Sequence, residues 1–181
     1  MSELLVLYKS KYGSTKKYVQ WLQEETGCDV FPVEEYKNGD FSGYSTVIFA
    51  GGIYAGGIAG LSVLKKNLRS LSGKYVAVLA VGASPFDQKA FDQVKAQNMR
   101  GLPEGIPVFY ARGAYDEKKM SLKDRTLCRM LKKTLAGKEL SQLEPWQQAL
   151  MEAGDEGHDW TDSKELVPLL KYLKEPEKAL R

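Results

Sequence analysis

Short runs of apolar residues alternate along the chain with segments in which apolar residues recur every three or four positions. Continuous apolar runs of this length are typical of strands that are buried on both faces. The five predicted strands are Leu4–Tyr8, Cys28–Val33, Thr46–Ala50, Tyr75–Val81 and Ile106–Ala111, of which the first, third and fourth are continuous apolar runs. Periodic segments between the runs predict helices, and alternation of this kind favours a parallel sheet with right-handed crossovers.

Three helices are predicted between these strands. The first follows the loop after the first strand and ends at Gly27, a residue type common just past a helix. The second spans Leu61–Leu71, and the third runs from Phe86 to about Met99, with Phe86 at the start of its apolar stripe. Pro32 favours an edge position for the second strand, because proline donates no hydrogen bond to a neighbour.

The pattern changes after the fifth strand. Ser121 and Asp124 have the spacing of a capping box, which predicts a helix that ends near Gly137. Its apolar stripe comprises Leu127, Met130, Leu131 and Leu135. We expect the leucines to pack on the core and the lysines and arginines between Lys118 and Lys138 to be exposed, which predicts at most a weak, salt-sensitive contact with a membrane surface.

Two shorter helices are predicted near the end of the chain. The first lies around Trp146 to Met151, where we expect Trp146 to be a packing residue. The second follows Asp162, and Pro168 should delay its start or kink it. His158 lies in a polar loop with Asp155 and other acidic residues; nothing there makes metal ligands converge, and a solvated loop is expected.

Length and composition are those of one globular domain. The 181 residues are 43% hydrophobic, and no apolar stretch approaches the ~20 residues of a membrane span. The first residues lack the pattern of a signal peptide, and Cys28 and Cys128 lack metal or redox spacing. These features predict a reducing, cytoplasmic location. The net charge of +3 gives no indication of nucleic-acid binding.

The loop between the first strand and the first helix carries candidate chemistry. It reads Ser10-Lys11-Tyr12-Gly13-Ser14-Thr15. The first amide groups of a helix have no intrahelical partner, and the helix dipole favours an anion there. Hydroxyl groups add donors, and Gly13 permits close approach of the backbone. The loop matches neither the Walker nor the dinucleotide motif, so a simple helix cap and a phosphate site both remain open.

Two further loops end strands that a doubly wound sheet would place next to the first. In the strand order 2-1-3-4-5, the loops after the first, third and fourth strands meet at the switch point where ligands bind. The second loop, Gly52–Gly57, offers close backbone approach and a stacking face on Tyr54. The third loop, Gly82–Phe86, offers backbone amides. A ligand with a phosphate, a flat apolar ring and a polar ring edge would match the three loops in that order.

These residues resemble a known family. The first loop resembles the flavodoxin phosphate loop, Ser/Thr-x-Thr-Gly-x-Thr, with Tyr12 in place of the middle threonine. The segments Gly51–Gly57 and Asp159–Asp162 resemble the branch that includes menaquinone-dependent protoporphyrinogen dehydrogenases. The resemblance covers nearly the whole chain and is weakest from Asp116 to Gly157. It implies a three-layer flavodoxin-like fold with a five-stranded parallel sheet and helices on both faces.

The resemblance also implies flavin mononucleotide (FMN) as a non-covalent cofactor in one- or two-electron transfer. Ser10, Gly13, Ser14 and Thr15 would hold the phosphate, and Tyr54 would flank the ring. A peptide of the second loop, Ala55–Gly56 or Gly56–Gly57, would meet the reduced ring nitrogen. The complete set of expected cofactor-binding residues is Ser10, Lys11, Tyr12, Gly13, Ser14, Thr15, Gly52, Ile53, Tyr54, Ala55, Gly56, Gly57, Gly82, Ala83, Ser84 and Phe86.

Three functions are compatible with the sequence. The first is an electron carrier or oxidoreductase that exchanges electrons with a redox partner protein or a quinone. The second is a quinone-dependent enzyme that oxidises a porphyrinogen, although the sequence identifies no porphyrin pocket. The third is a cofactor-free binding module; a receiver domain is disfavoured because Lys9, Ser10 and Lys11 stand where carboxylates would be needed. Fold alone does not decide among them.

Overall fold

The computed structural model describes residues 3–36, 39–154, 156–176 and 179–180. Its central sheet contains the five predicted strands, and a short sixth strand pairs with one of them. The strands of the chain are β1 (Leu4–Lys9), β2 (Asp29–Pro32), β3 (Thr46–Tyr54), β4 (Gly57–Ile58), β5 (Tyr75–Gly82), β6 (Val108–Arg112), β7 (Ala114–Tyr115) and β8 (His158–Asp159). The helices are α1 (Ser14–Thr26), α2 (Leu61–Lys66), α3 (Gln88–Asn98), α4 (Leu122–Leu135), α5 (Pro145–Glu152) and α6 (Val167–Lys174).

The spatial order of the main strands is β2-β1-β3-β5-β6, and neighbours on this path are parallel. This is the predicted order 2-1-3-4-5, once the short strand β4 is set aside. Pro32 lies in β2 at the edge of the sheet, where its missing N–H costs no ladder bond. The fold prediction is therefore confirmed, with β4, β7 and β8 as short additional strands.

Alternate residues of each strand feed two hydrophobic layers, as the two-residue period of a strand requires. On one face, Leu5 and Leu7 pack with α2 and α3; on the other, Val6 packs with α1 and α6. The helices therefore cover both faces of the sheet. The crossovers on the two sides of β1 leave on opposite faces, which opens a crevice at the carboxyl ends of β1 and β3.

A third hydrophobic cluster lies beyond β6 and includes Tyr115, Leu135 and Leu150. It packs α4 against α5, next to the antiparallel pair of β7 and β8. Buried Glu117 anchors this region: its carboxylate accepts hydrogen bonds from Lys132 at 2.6 Å, Arg129 at 3.1 Å and Tyr115 at 3.0 Å. Burial opposes ionisation, but these bonds lower the pKa of Glu117.

Several helix boundaries differ from prediction. The second helix ends at Lys66, and Leu68–Leu71 forms a 3-10 turn. The third begins at Gln88, where the Asp87 carboxylate accepts from the N–H of Ala90. Phe86 therefore lies outside the helix and is 57% exposed. The start of α3 therefore follows its capping side chain, Asp87, rather than the hydrophobic pattern.

The expected burial of the α4 stripe is wrong in part. Leu135 is buried and Leu131 is half-buried, but Leu127 and Met130 are 55% and 61% exposed. The reason is the ionic anchor at Glu117, which turns the face that carries Lys132 inward. The packing role expected for Trp146 is also wrong, since it is 47% exposed.

The final predictions concern the last part of the chain. The short helix is confirmed as α5. Pro168 occupies the first turn of α6, which begins at Val167 after a 3-10 turn, so its predicted effect on the start is confirmed. His158 is exposed in β8, with its ring 4.7 Å from that of Trp160. Asp155, the acidic residue predicted to lie near His158, is outside the described residues.

No helix within the described ranges is long and apolar enough to span a membrane.

Candidate cofactor site

The phosphate loop, which we define as residues 10–15, wraps a serine hydroxyl. Ser10 Oγ accepts hydrogen bonds from the N–H of Gly13 at 3.2 Å and from that of Lys16 at 3.3 Å. Gly13 caps α1 with φ of +100°, a left-handed conformation that favours glycine. The bend brings the amino end of α1 against the carboxyl end of β1.

The helix start keeps donors available. None of the hydrogen bonds between described residues engages the backbone N–H of Ser14 or Thr15, which are the first residues of α1. Thr15 is buried, with 2% exposure. The Ser14 hydroxyl accepts from the N–H of Ala114 at 3.0 Å and so ties the loop to β7. This end of α1 can therefore receive an anion.

The second loop is a β-hairpin rather than an irregular loop, which corrects the expectation that the third strand ends at Ala50. β3 continues to Tyr54, and β4 pairs back on it. Gly51 permits this return, because a Cβ there would lie 2.0 Å from the carbonyl oxygen of Ala59. Ala55 and Gly56 form the two-residue turn with positive φ angles of 47° and 78°. Turns with two left-handed residues suit the twist of a hairpin.

Tyr54 stands between the hairpin and the phosphate loop. Its ring makes an edge contact with the ring of Tyr12 at 6.1 Å, and Lys11 Nζ lies 5.6 Å from its centre. Burial is the main cause that raises the pKa of the Tyr54 hydroxyl. The side chain thus presents a neutral aromatic ring at the edge of the site. Its predicted contact with a flavin ring stays a prediction.

The third loop, Gly82–Phe86, is held by its carbonyl groups. The Tyr110 hydroxyl donates to the carbonyls of Gly82 at 3.1 Å and Ser84 at 2.6 Å, and Arg112 Nε donates to that of Ala83 at 3.1 Å. No hydrogen bond between described residues uses the backbone N–H of Ala83, Ser84 or Phe86. The loop thereby fixes its carbonyls to β6 and leaves amide donors for a ligand.

The three loops meet around two adjoining cavities. A cavity of about 340 Å³, the phosphate cavity, lies between the phosphate loop and the hairpin. A second of about 670 Å³, the ring cavity, lies between the hairpin, the third loop and α3. Residues that line both are Ile53, Ala55, Gly82, Ala83, Tyr115, Leu127 and Cys128. Of the predicted site residues, all but Ser10, Gly13 and Gly57 line one cavity or both.

Sequence reasoning missed the residues that close the site. Met120, Asp124, Leu127 and Cys128, on α4 and just before it, line the phosphate cavity. Asp124 accepts hydrogen bonds from both Lys11 and Tyr12 of the phosphate loop. The spacing of residues in α4 carries no signal of this contact, because the two segments are far apart in the chain.

Tyr110 and Arg112 were also missed, although a signal was present. Both lie at the carboxyl end of a parallel strand, and such ends meet at the same edge of the sheet. The rule applied to β1, β3 and β5 would have included β6.

Comparison with known proteins supports the architecture. A family model described as a flavodoxin domain matches residues 5–142. No curated protein matches the chain.

Solved structures that match the chain include three proteins of low sequence identity. The Trp repressor binding protein from Bacillus subtilis is 15% identical, with TM-score 0.45 over 61% of this chain and 83% of its own. A flavodoxin from the domain Archaea is 14% identical, with TM-score 0.40 over 70% and 91%. The flavodoxin, WrbA-like protein from Agrobacterium tumefaciens is 16% identical, with TM-score 0.42 over 69% and 88%.

Proposed function

The chain belongs to the flavodoxin-domain family, and on that premise we propose that it binds FMN non-covalently and acts in electron transfer. The observation that carries the proposal is the meeting of the phosphate loop, the hairpin and the third loop around two adjoining cavities. Each loop offers groups suited to one part of this cofactor.

The phosphate would bind at the start of α1. Among the described residues, nothing accepts a hydrogen bond from the backbone N–H groups of Ser14 and Thr15, and the Thr15 side chain is buried beside them. A charged phosphate is therefore the ligand that this end of the helix stabilises most. Because the loop closes around a terminal phosphate, FMN should bind better than flavin adenine dinucleotide.

The ring would lie between the hairpin and the third loop. The cavity there is lined largely by apolar side chains, and Ala83 and Ser84 offer amide donors at one edge. A flat ring with one polar edge matches this arrangement. When bound, the flavin supplies the ability to accept and donate electrons. The contacts and charges of the surrounding residues set its potential.

A second candidate is an enzyme that transfers electrons to or from an apolar ring compound such as a quinone or porphyrinogen. The specific observation is that the ring cavity continues past the third loop to α5. Phe91, Trp146 and Leu150 line this extension. A surface that served only protein partners would not need an apolar cavity of this depth.

Partner contact would occur on the face that exposes α4. Exposed Leu122 and Met130 alternate there with lysines. Such a face suits an acidic redox protein or the surface of an anionic membrane that holds a quinone.

The test is a titration of the purified protein with FMN, riboflavin and flavin adenine dinucleotide, followed by absorbance and fluorescence. We expect a yellow complex with one FMN per chain and weaker binding of the other two. Absence of any spectral change at saturating FMN would contradict the proposal and favour a cofactor-free binding module. Reoxidation of the reduced complex by a soluble quinone, but not by an acidic redox protein, would favour the second candidate.

A further inference from the structure

Asn98, the last residue of α3, is a buried polar residue to which the proposed function assigns no role. It is 9% exposed; among the described residues only Thr15 and Glu117 are also both buried and polar or charged. Burial of an amide is unfavourable unless its donors and acceptor are satisfied. The partners of Asn98 therefore show which part of the structure it stabilises.

Those partners belong to the hairpin and to its own helix. Asn98 Nδ2 donates to the Gly56 carbonyl at 2.6 Å and to the Val94 carbonyl at 2.8 Å, and Oδ1 accepts from the N–H of Ile58 at 2.8 Å. Only an oxygen can accept from Ile58, so the partners fix the orientation of the amide. Asn98 thus holds the hairpin on both sides of Gly57.

The hairpin needs such support. β4 has only two residues, and the turn places Ala55 at φ +47°, a conformation that residues with a Cβ rarely adopt. Ala55 and Gly56 line the ring cavity. The orientation of the peptides around them decides which backbone groups that cavity offers.

We propose that Asn98 is a positioning residue for the flavin: by engaging the Gly56 carbonyl, it fixes which backbone groups of the hairpin face the ring. This inference rests on the proposed function. A reduced flavin carries a proton on a ring nitrogen that is an acceptor in the oxidised form. Hydrogen bonds to the ring nitrogens therefore stabilise one redox state over the other. Release of the Gly56 carbonyl would change that balance, and not only the affinity.

The experiment compares the dissociation constants of oxidised FMN and of FMN reduced with dithionite under anaerobic conditions. The variants are Asn98→Asp, which keeps an acceptor for Ile58 but loses the donor to Gly56, and Asn98→Ala, which loses both. Asn67→Ala is the matched control. Asn67 Nδ2 donates to the Val63 carbonyl at 2.8 Å, just as Asn98 donates to the carbonyl four residues before it, but Asn67 lies outside both cavities.

In both Asn98 variants we expect the ratio of the two constants to change about fivefold or more, the factor that one buried hydrogen bond contributes. The control should leave the ratio unchanged. If both constants rise by the same factor in the Asn98 variants, Asn98 only stabilises the hairpin and the inference is overturned. A wild-type protein that binds no flavin would instead contradict the proposed function itself.

A measurement on the wild-type protein covers the case in which neither variant folds. The side-chain N–H signals of Asn98 in nuclear magnetic resonance spectra should shift between the oxidised and reduced complexes. Signals that stay in place through reduction would overturn the inference.

Discussion

The hydroxyl of Tyr12 donates a hydrogen bond to the carboxylate of Asp124 and so joins the phosphate loop to α4. Lys11 donates to the same carboxylate oxygen. The hydrogen bond from Lys11, followed by that from Tyr12, holds the pKa of Asp124 below its ordinary range. A tyrosine at this position of the loop therefore reaches a helix that the shorter threonine side chain could not reach. Lys11, the cation of the loop, is already paired with the Asp124 carboxylate.

The first prediction concerns this ion pair. Asp124→Asn removes the negative charge that competes with a phosphate for Lys11. We expect the affinity for FMN to rise by no more than about fivefold, since solvent screens an exposed ion pair and keeps its contribution small. The gain should shrink at high salt. Titration with FMN and riboflavin at two salt concentrations measures it.

Glu34→Gln is the matched control for that variant. Glu34 forms an exposed ion pair with Lys9 at 2.9 Å, so the change in net charge is the same but lies outside both cavities. Its FMN affinity should equal that of the wild type. Equal weakening of FMN and riboflavin in Asp124→Asn would mean that the carboxylate serves mainly to hold α4 over the site.

The second prediction concerns Thr15. Thr15→Ala removes a buried hydroxyl that we expect to contact the phosphate. A hydrogen bond to a charged group contributes roughly 1.5–3 kcal/mol, so FMN affinity should fall about ten- to hundredfold. Riboflavin, which lacks the phosphate, should bind almost as before. Isothermal titration of both ligands makes the comparison.

Two further variants separate binding from helix stability in that experiment. Thr15→Ser keeps the hydroxyl and should restore most of the affinity. Thr26→Ala alters a threonine at the opposite end of α1, whose hydroxyl bonds the Leu22 carbonyl at 2.7 Å, and should leave FMN binding unchanged. Parallel losses for FMN and riboflavin in Thr15→Ala would show that Thr15 only supports the helix.

The third prediction concerns stability and pH. Glu117→Gln leaves Arg129 and Lys132 without their carboxylate, which should cost about 2 kcal/mol; the value lies below that of fully buried pairs because Arg129 is largely exposed. The melting temperature should then fall by about 4–8 °C. Circular dichroism during heating measures the change.

The sign of the pH dependence follows from the lowered pKa of Glu117. Its contribution is complete above the ordinary value of 4.5 and is lost as pH falls through the lower folded value. The difference between wild type and Glu117→Gln should therefore shrink as pH falls from about 6 to about 3. A difference that stays constant over this range would contradict the ionised state of Glu117. Glu34→Gln serves again as the exposed control.

The fourth prediction concerns α4 as a contact surface. Leu122 is 79% exposed beside Lys123, and Met130 is exposed near Lys133. We expect vesicles of anionic lipid to capture the protein at low salt, with about 1 kcal/mol for each cation close to the surface. The double change Leu122→Ser and Met130→Ser should weaken capture further at high salt. Flotation assays measure both effects.

Leu140→Ser is the control for that experiment, because Leu140 is 55% exposed but lies outside α4. Vesicles of neutral lipid should capture neither the wild-type protein nor its variants. Capture by neutral vesicles as strong as by anionic ones, or no loss in the double variant, would count against α4 as the contact surface.

The sheet was predictable because its three inner strands, β1, β3 and β5, are buried on both faces. Runs such as Tyr75–Val81 contain no polar positions, so their pattern differs clearly from that of an amphipathic helix. Because these runs alternate with periodic helical segments, only a few sheet topologies are compatible with the sequence. The hairpin was not predictable in the same way. Its four glycines indicate close backbone approach, but only the position of Ala59 shows that Gly51 continues a strand.

The region after β6 was the least predictable for a physical reason. Hydrophobic periodicity placed Leu127 and Met130 on the inner face of α4. The buried carboxylate of Glu117 instead selects the face that carries Arg129 and Lys132. A single ionic cluster can outweigh an apolar stripe when the stripe is short, and no local pattern in the sequence reports a partner that distant.

The contact between Lys11 and Asp124 spans 113 positions of the chain, which has a consequence for how the site is made. Contacts of such separation form late, because the chain between them must be ordered first. During synthesis the phosphate loop, the hairpin and the third loop all leave the ribosome before α4. In a growing chain the three loops are therefore exposed to solvent on the side that α4 later covers. The phosphate cavity closes only after the last third of the polypeptide has been synthesised.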